Sequence, residues 1–252
     1  MRILAFTTCK PWKDMYGRIQ ANAIRSWSLW EEPPSVVIFG DDRGSAEAAQ
    51  QFGAIHRPHV ELGDSGFPKI KDMFRQAELL ARIRKIDVLM FANADMVITG
   101  LARAAAVVKK QLDEFLLISY RRDVKEVDLD KPGWLEELYE KSTLGPPDAI
   151  DLFCFTRGLW KEIPDFVSGH VGFDNWLVMS VRDRGLPIID GTQVIGAFHQ
   201  NHAARLLHRP DDRTNLTILA KHEGGCGGNW ASRGRLTDAN WLLVRDDLGG
   251  VF

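Results

Sequence analysis

The chain has no apolar run approaching the roughly 20 residues that a membrane-spanning helix needs. It opens directly into the strand pattern Ile3-Leu4-Ala5-Phe6 instead of a signal peptide. Cysteine is scarce: Cys9, Cys154 and Cys226 are an odd number, far apart, and form no CxxC pair. That argues against a disulfide framework and a structural zinc site, and for a reducing compartment. Charge of one sign is also missing. Lys and Arg number 32 against 34 Asp and Glu, a formal charge of −2, so no broad basic surface awaits a phosphate polymer and nucleic acid is not an expected partner. No internal repeat is present. These absences place the protein in the cytosol, or peripherally against the cytosolic face of a membrane with no transmembrane segment.

What remains is an ordinary globular composition, 45% hydrophobic and 26% charged over 252 residues, enough to bury a large core without staples. The first hundred residues alternate short apolar runs with helical patterns, the signature of βα units in a mostly parallel sheet. Strands are expected over residues 2–7, 35–39, 54–57 and 86–92. Helices are expected over 14–30, with Ile19, Ala23, Trp27 and Trp30 on one stripe, over 44–52, and over 69–84 behind Pro68. Pro33-Pro34 ends the first helix. Beyond Asn93 the pattern loosens: a helix over 101–112, a strand over 115–120, and a charged stretch over 121–131 expected in solvent. A strand over 149–155, a helix over 173–184 and strands over 187–189 and 193–198 follow. The fold class is α/β, one Rossmann-like domain over 1–202 with a nucleotide-binding half (1–100) and an acceptor half (101–202). Residues 203–252 read as an irregular tail or lid on the same domain.

Open α/β sheets hold ligands beyond the ends of their strands. The most apolar strand delivers Asn93-Ala94-Asp95 to that position, where an amide oxygen and a carboxylate suit Mg²⁺ or Mn²⁺ held together with phosphates. The same residue types also favour simple turns. At the end of the last strand stands His199-Gln200-Asn201-His202, and imidazole joined to carboxylate shifts preference from magnesium toward manganese. A third cluster is Gly169-His170-Val171-Gly172-Phe173-Asp174-Asn175-Trp176. Asp174 opens a helix, so it reads either as a cap for free N–H groups or as a general base held by the same helix end. Trp176 offers a flat face for a sugar ring, with Trp230 a weaker second. Arg205, Arg209 and Arg213 read as solvated cations or as a clamp on a diphosphate, and Gly224–Gly228 as a lid.

Together, Phe67-Pro68 through Phe91-Ala92-Asn93-Ala94-Asp95, Asp151-Leu152-Phe153-Cys154-Phe155-Thr156-Arg157-Gly158, Gly172-Phe173-Asp174-Asn175-Trp176-Leu177 and His199-Gln200-Asn201-His202 resemble glycosyltransferases of the GT-A type. More closely they resemble a bacterial and algal group of such enzymes, over most of residues 1–202. The resemblance implies a nucleotide-sugar donor, UDP- or GDP-linked, a Mn²⁺ or Mg²⁺ cofactor, and a glycan or other hydroxyl acceptor, as in polysaccharide biosynthesis. It implies that Asp95 matches the retained acid of the Asp-x-Asp metal motif, with Asn93 departing from the first acid. His199 or His202 matches the late histidine of the metal shell. Thr7 and Thr8 match the loop that meets the nucleotide, Asp41 and Asp42 the acids at base or ribose, and Lys69 a diphosphate contact. Asp174 matches the acidic base of inverting enzymes, with Asp151 in reserve, and Trp176, Asn175 and Arg157 fall on the acceptor side.

Three other readings compete. A nucleotidyltransferase needs a Gly-rich phosphate loop after strand one, where this chain has Thr7-Thr8-Cys9-Lys10-Pro11-Trp12 and no glycine before Gly17. A metal-dependent hydrolase using Asp95, His199 and His202 lacks any HExxH helix. A non-catalytic carbohydrate- or nucleotide-binding protein would keep the fold without the reaction.

Overall fold

The computed structural model describes residues 1–64, 66–202, 215–217, 234–245 and 251. Arg205, Arg209, Arg213, Gly224–Gly228, Cys226 and Trp230 lie outside the described residues. Strands β1 (Ile3–Thr8), β2 (Ser35–Phe39), β3 (Ile55–Arg57) and β4 (Val88–Ala92) alternate with helices α1 (Asp14–Ser28), α2 (Ser45–Gln51) and α3 (Ile70–Arg84). After β4 come β5 (Met96–Thr99), α4 (Leu101–Gln111), β6 (Leu116–Ile118), β7 (Arg122–Val124), α5 (Trp134–Lys141) and β8 (Thr143–Leu144). The chain continues with β9 (Leu152–Thr156), α6 (Phe173–Arg182), β10 (Ile188–Asp190), β11 (Gly196–Gln200) and β12 (Trp241–Leu242).

Eight strands form the main sheet in the order β12-β10-β6-β9-β4-β1-β2-β3. All neighbours are parallel except β9, which runs antiparallel to both β4 and β6. The central strands read as unbroken apolar runs because helices cover both faces. Successive side chains alternate between them. Leu4, Phe6, Leu89 and Phe91 pack on one face with Met73, Phe74 and Ala77 of α3 and Leu177 and Val178 of α6. Ile3, Ala5, Val88 and Met90 pack on the other with Ala23, Ile24 and Trp27 of α1 and Leu101, Ala104 and Ala105 of α4.

A second sheet, β5-β11-β7-β8, stands at the end of the first. Val97, Val124 and Phe198 from its strands bury against Leu129 and Leu138. This sheet corrects two expectations. The stretch 121–131 is in solvent only in part: Lys125, Glu126, Asp128, Asp130 and Lys131 are exposed, whereas Arg122–Val124 pairs in parallel with β11, and Val124 and Leu129 are buried. The last strand also runs further than its apolar pattern, through Gln200, because β5 and β7 extend the ladder on either side. His199 and Gln200 therefore belong to the strand and only His202 lies past it. The chain passes between sheets in a tight turn in which the Met96 N–H donates to the Asn93 carbonyl (3.1 Å). The edge strand β12, beside β10, is drawn from a region whose sequence shows weak periodicity.

Gly100 makes the corner from β5 into α4, against the segment that enters β11. Its φ is +76°, and a Cβ there would lie 2.3 Å from the Val194 carbonyl oxygen. Gly100→Ala is expected to cost about 2 kcal/mol or more through left-handed strain and that collision, read as a lower denaturant midpoint. A loss under about 0.5 kcal/mol would mean that the corner can open freely.

Candidate active site

A cleft of about 470 Å³ opens where the two sheets meet, beyond the C-terminal ends of β1 and β4. It is lined by Thr8 and Lys10 after β1, by Asn93 and Asp95 in the inter-sheet turn, and by Asp151 before β9. The segment 168–174, Arg121, His199 and His202 complete its wall. Asp95 is carried at the junction because β4 ends in one sheet while the following strand belongs to the other. Its backbone is pinned from both sides: the Asp95 carbonyl accepts the Gln200 N–H (3.2 Å) and the Gln200 side-chain amide (3.1 Å). Gln200 in turn donates to the Ile19 carbonyl of α1 (2.8 Å) and accepts from Asn22 (2.9 Å).

Asp95, His199 and His202 each offer one ligand atom, all within 4.8 Å of one another. His202 Nε2 lies 3.0 Å and His199 Nε2 3.8 Å from Asp95 Oδ2. Burial by itself would raise the Asp95 pKa, but the His202 hydrogen bond and the nearby His199, His202 and Lys10 charges leave it lowered. The other oxygen, Oδ1, is buried without a hydrogen-bond partner among the described residues. A buried carboxylate oxygen so placed is costly unless something positive meets it. One oxygen and two nitrogen donors fit Mn²⁺ better than Mg²⁺, which prefers oxygens throughout.

Three further carboxylates surround this cluster. Asp151 is saturated: Oδ1 accepts from Asn93 Nδ2 (2.6 Å) and Oδ2 from Arg121 Nη1 (3.0 Å). Burial and the Asp95 charge raise its pKa, against the pull of Arg121. Asp123 lies between Arg121 Nε (3.2 Å) and His199 Nδ1 (3.0 Å). Asp174 sits in the first turn of α6, where its carboxylate accepts the Gly172 N–H (3.2 Å) while facing the cleft. Burial pushes its pKa up to about 7, Asp151 adds to the rise, and the first-turn N–H groups oppose it. The cap and the poised carboxylate are thus one arrangement, with the helix end orienting a group that protein surroundings keep near neutrality.

The remaining sequence candidates divide by position. Thr8 and Asp42 line the cleft, and burial together with Asp41 raises the Asp42 pKa. Thr7 is fully buried and donates to the Ala92 carbonyl (2.7 Å), tying β1 to β4, while Asp41 is exposed outside the cleft. Lys69 pairs with Glu61 and is not in the lining. Trp176 is buried against Phe166 (5.7 Å) in the core. Asn175 is buried and donates to the Asp148 (3.2 Å) and Gly234 (2.9 Å) carbonyls. Arg157 pairs with Asp87 (3.0 Å) at the opposite end of the strands. The cleft instead contains residues that sequence reasoning passes over. Lys10 stands 4.2 Å above the Tyr16 ring, and Arg121 comes from a stretch with no apolar period to mark it as a strand, as does its ion-pair partner Asp123, which is not in the lining. For Lys10 a signal existed, its place directly after strand one.

No family profile and no curated protein sequence matches this chain. Solved structures do match. A mycobacterial protein superposes with a TM-score of 0.56 at 14% identity, over 89% of this chain and 75% of its own. Glucosyl-3-phosphoglycerate synthase of Mycobacterium tuberculosis gives 0.55 at 13% identity, over 93% and 86%. The same enzyme in complex with Mn²⁺, UDP-glucose and phosphoglyceric acid gives 0.54 at 14% identity, over 93% and 86%. At this identity the likeness is one of architecture. The chain has the GT-A fold, an α/β domain with a mostly parallel central sheet.

Proposed function

We propose that the protein transfers a sugar from a nucleoside-diphosphate donor, UDP- or GDP-linked, to a hydroxyl acceptor. The observation that carries this reading is the sharing of one cleft by the Asp95–His199–His202 cluster and by Asp174, a carboxylate held near neutrality. The fold and the Mn²⁺ and UDP-glucose complex of a structural neighbour support it. Asp95, His199 and His202 would hold the divalent ion. Bound there, that ion supplies positive charge against the diphosphate as it departs.

The chain's own residues supply the rest. Lys10 and Arg121 line the cleft as cations, although Arg121 is committed to two carboxylates. Lys10 lines the cleft and Lys69 does not, so Lys10 replaces Lys69 as the candidate for a diphosphate contact. Asp42 and Thr8 border the donor side. A hydroxyl is a poor nucleophile until its proton is taken. Asp151 has both oxygens engaged by Asn93 and Arg121, so it is the weaker base. Asp174 is the base in this reading, and a single displacement by the hydroxyl it deprotonates would invert the anomeric carbon. Glycan or other hydroxyl acceptors fit equally, and Phe173, Ile150 and His170 line the acceptor side in place of Trp176.

Asp95→Ala is expected to leave the fold intact and to lower Mn²⁺-assisted binding of UDP or GDP at least tenfold, measured by calorimetry with and without the ion. Full retention of that affinity refutes the ion site. Because only the ionised carboxylate accepts a proton, kcat/KM should climb as pH rises through about 7 and level above it. Asp174→Asn should keep donor binding and lose transfer by about a hundredfold or more, with the pH limb gone. An unchanged rate sends the base elsewhere. A group titrating higher in the folded than in the unfolded chain costs stability as pH rises between the two values. Asp174→Asn should therefore raise the melting temperature at pH 8 and leave it unchanged at pH 3, and equal shifts at both would contradict the raised carboxyl.

A further inference from the structure

The second sheet brings a chain of charged groups to one side of the cleft. In the parallel register of β7 and β11, His199 stands directly opposite Asp123. Cross-strand neighbours on one face of a sheet are within reach of each other's side chains. Asp123 Oδ1 lies 3.0 Å from His199 Nδ1 and 3.2 Å from Arg121 Nε, and Arg121 continues to Asp151 through Nη1 at 3.0 Å. Gly145 makes room for this arrangement. Its N–H donates to the Arg121 carbonyl (2.9 Å), and a Cβ at 145 would fall 2.9 Å from Arg121 Cγ.

We infer that Asp123 and Arg121 are positioning residues for the ion-binding nitrogen of His199. This rests on the ion site proposed above. An imidazole has one proton to share between two nitrogens, and the hydrogen bond made by one nitrogen decides the state of the other. A carboxylate beside Nδ1 accepts a proton and donates none, so it holds the proton on Nδ1. Nε2, which lies 3.8 Å from Asp95 Oδ2, then keeps its lone pair directed at the cluster. The opposite tautomer would place an N–H where a cation must sit. Arg121 fixes Asp123 by its guanidinium and anchors the pair to Asp151, so the imidazole has one orientation before any ion arrives. Such outer partners commonly change metal affinity 10- to 100-fold when removed. Neither residue contacts the transferred sugar in this scheme.

The test uses the full chain and Mn²⁺ alone, with no nucleotide and no turnover. Long-range proton–nitrogen spectra of the metal-free protein should show His199 with its proton on Nδ1. Asp123→Leu should move the proton toward Nε2 and weaken Mn²⁺ binding 10- to 100-fold, followed by electron paramagnetic resonance. Asp123→Asn, whose amide oxygen still accepts from Nδ1, should recover part of that loss, and a purely structural role for Asp123 predicts no such ordering. A proton on Nε2 of His199 in the wild-type protein overturns the inference, as does wild-type Mn²⁺ affinity in folded Asp123→Leu. If that variant does not fold, the wild-type tautomer still decides. A wild-type chain with the Nδ1 proton and no affinity for Mn²⁺ refutes the ion site and this role with it, whereas the wrong tautomer with Mn²⁺ bound refutes this role alone.

Discussion

Negative charge gathered where two sheets meet is the constraint on which the site depends. Asp95, Asp151 and Asp174 line one cleft, and Asp123, outside its lining, pairs with the cleft residues Arg121 and His199. Carboxylates brought this close cannot all remain ionised in a protein interior without compensation. The chain compensates unevenly. Arg121 serves Asp151 and Asp123, His202 serves Asp95, and Asp174 is met by backbone N–H groups. The unevenness separates their roles: Asp95 is held below the ordinary carboxylate range and Asp174 well above it. Two carboxyls pushed apart in this way can act as ligand and as base in the same cleft at the same pH.

The asparagine at position 93 belongs to the same balance. An acid there would face the Asp151 carboxylate across a hydrogen bond that is 2.6 Å long, adding a further charge to a buried pair. The amide donates to Asp151 instead. The same turn also closes its backbone hydrogen bond to Met96, so the turn reading of Asn93 and Asp95 and the ligand reading of Asp95 are compatible. Burial of Asp174 raises its carboxyl pKa against the pull of the first-turn N–H groups, which costs stability as pH rises. No helix among the described residues is long and apolar enough to cross a membrane.

The βα half of the molecule is readable because its signals are local. Apolar runs such as Val88–Ala92 and the stripe of Ile19, Ala23 and Trp27 are set by periodicity, and each element lands within two residues of its expected bounds. The metal-side residues are readable for the same reason, since chemistry-bearing side chains at strand ends stand out against apolar neighbours. The second sheet does not announce itself. β7 and β8 are three and two residues long, β8 lies at the sheet edge, and both carry charged or exposed side chains, so no hydrophobic alternation marks them. The acceptor-side guesses at Trp176 and Asn175 follow helix position, and burial of the helix face that carries them is a tertiary matter.

Composition and pattern alone determined an α/β chain, and placed Asp95, His199 and Asp174 at or near the ends of elements where ligands gather. Tertiary structure decided which of them share space. It set Lys10 in the cleft and Lys69 outside it, and it turned Arg121 and Asp123 from apparent surface charges into the support of His199. The physical reason is range. Hydrophobic period is written between residues a few positions apart, whereas the pairing of Asp123 with His199 spans 76 positions and arises only when β7 lies down beside β11.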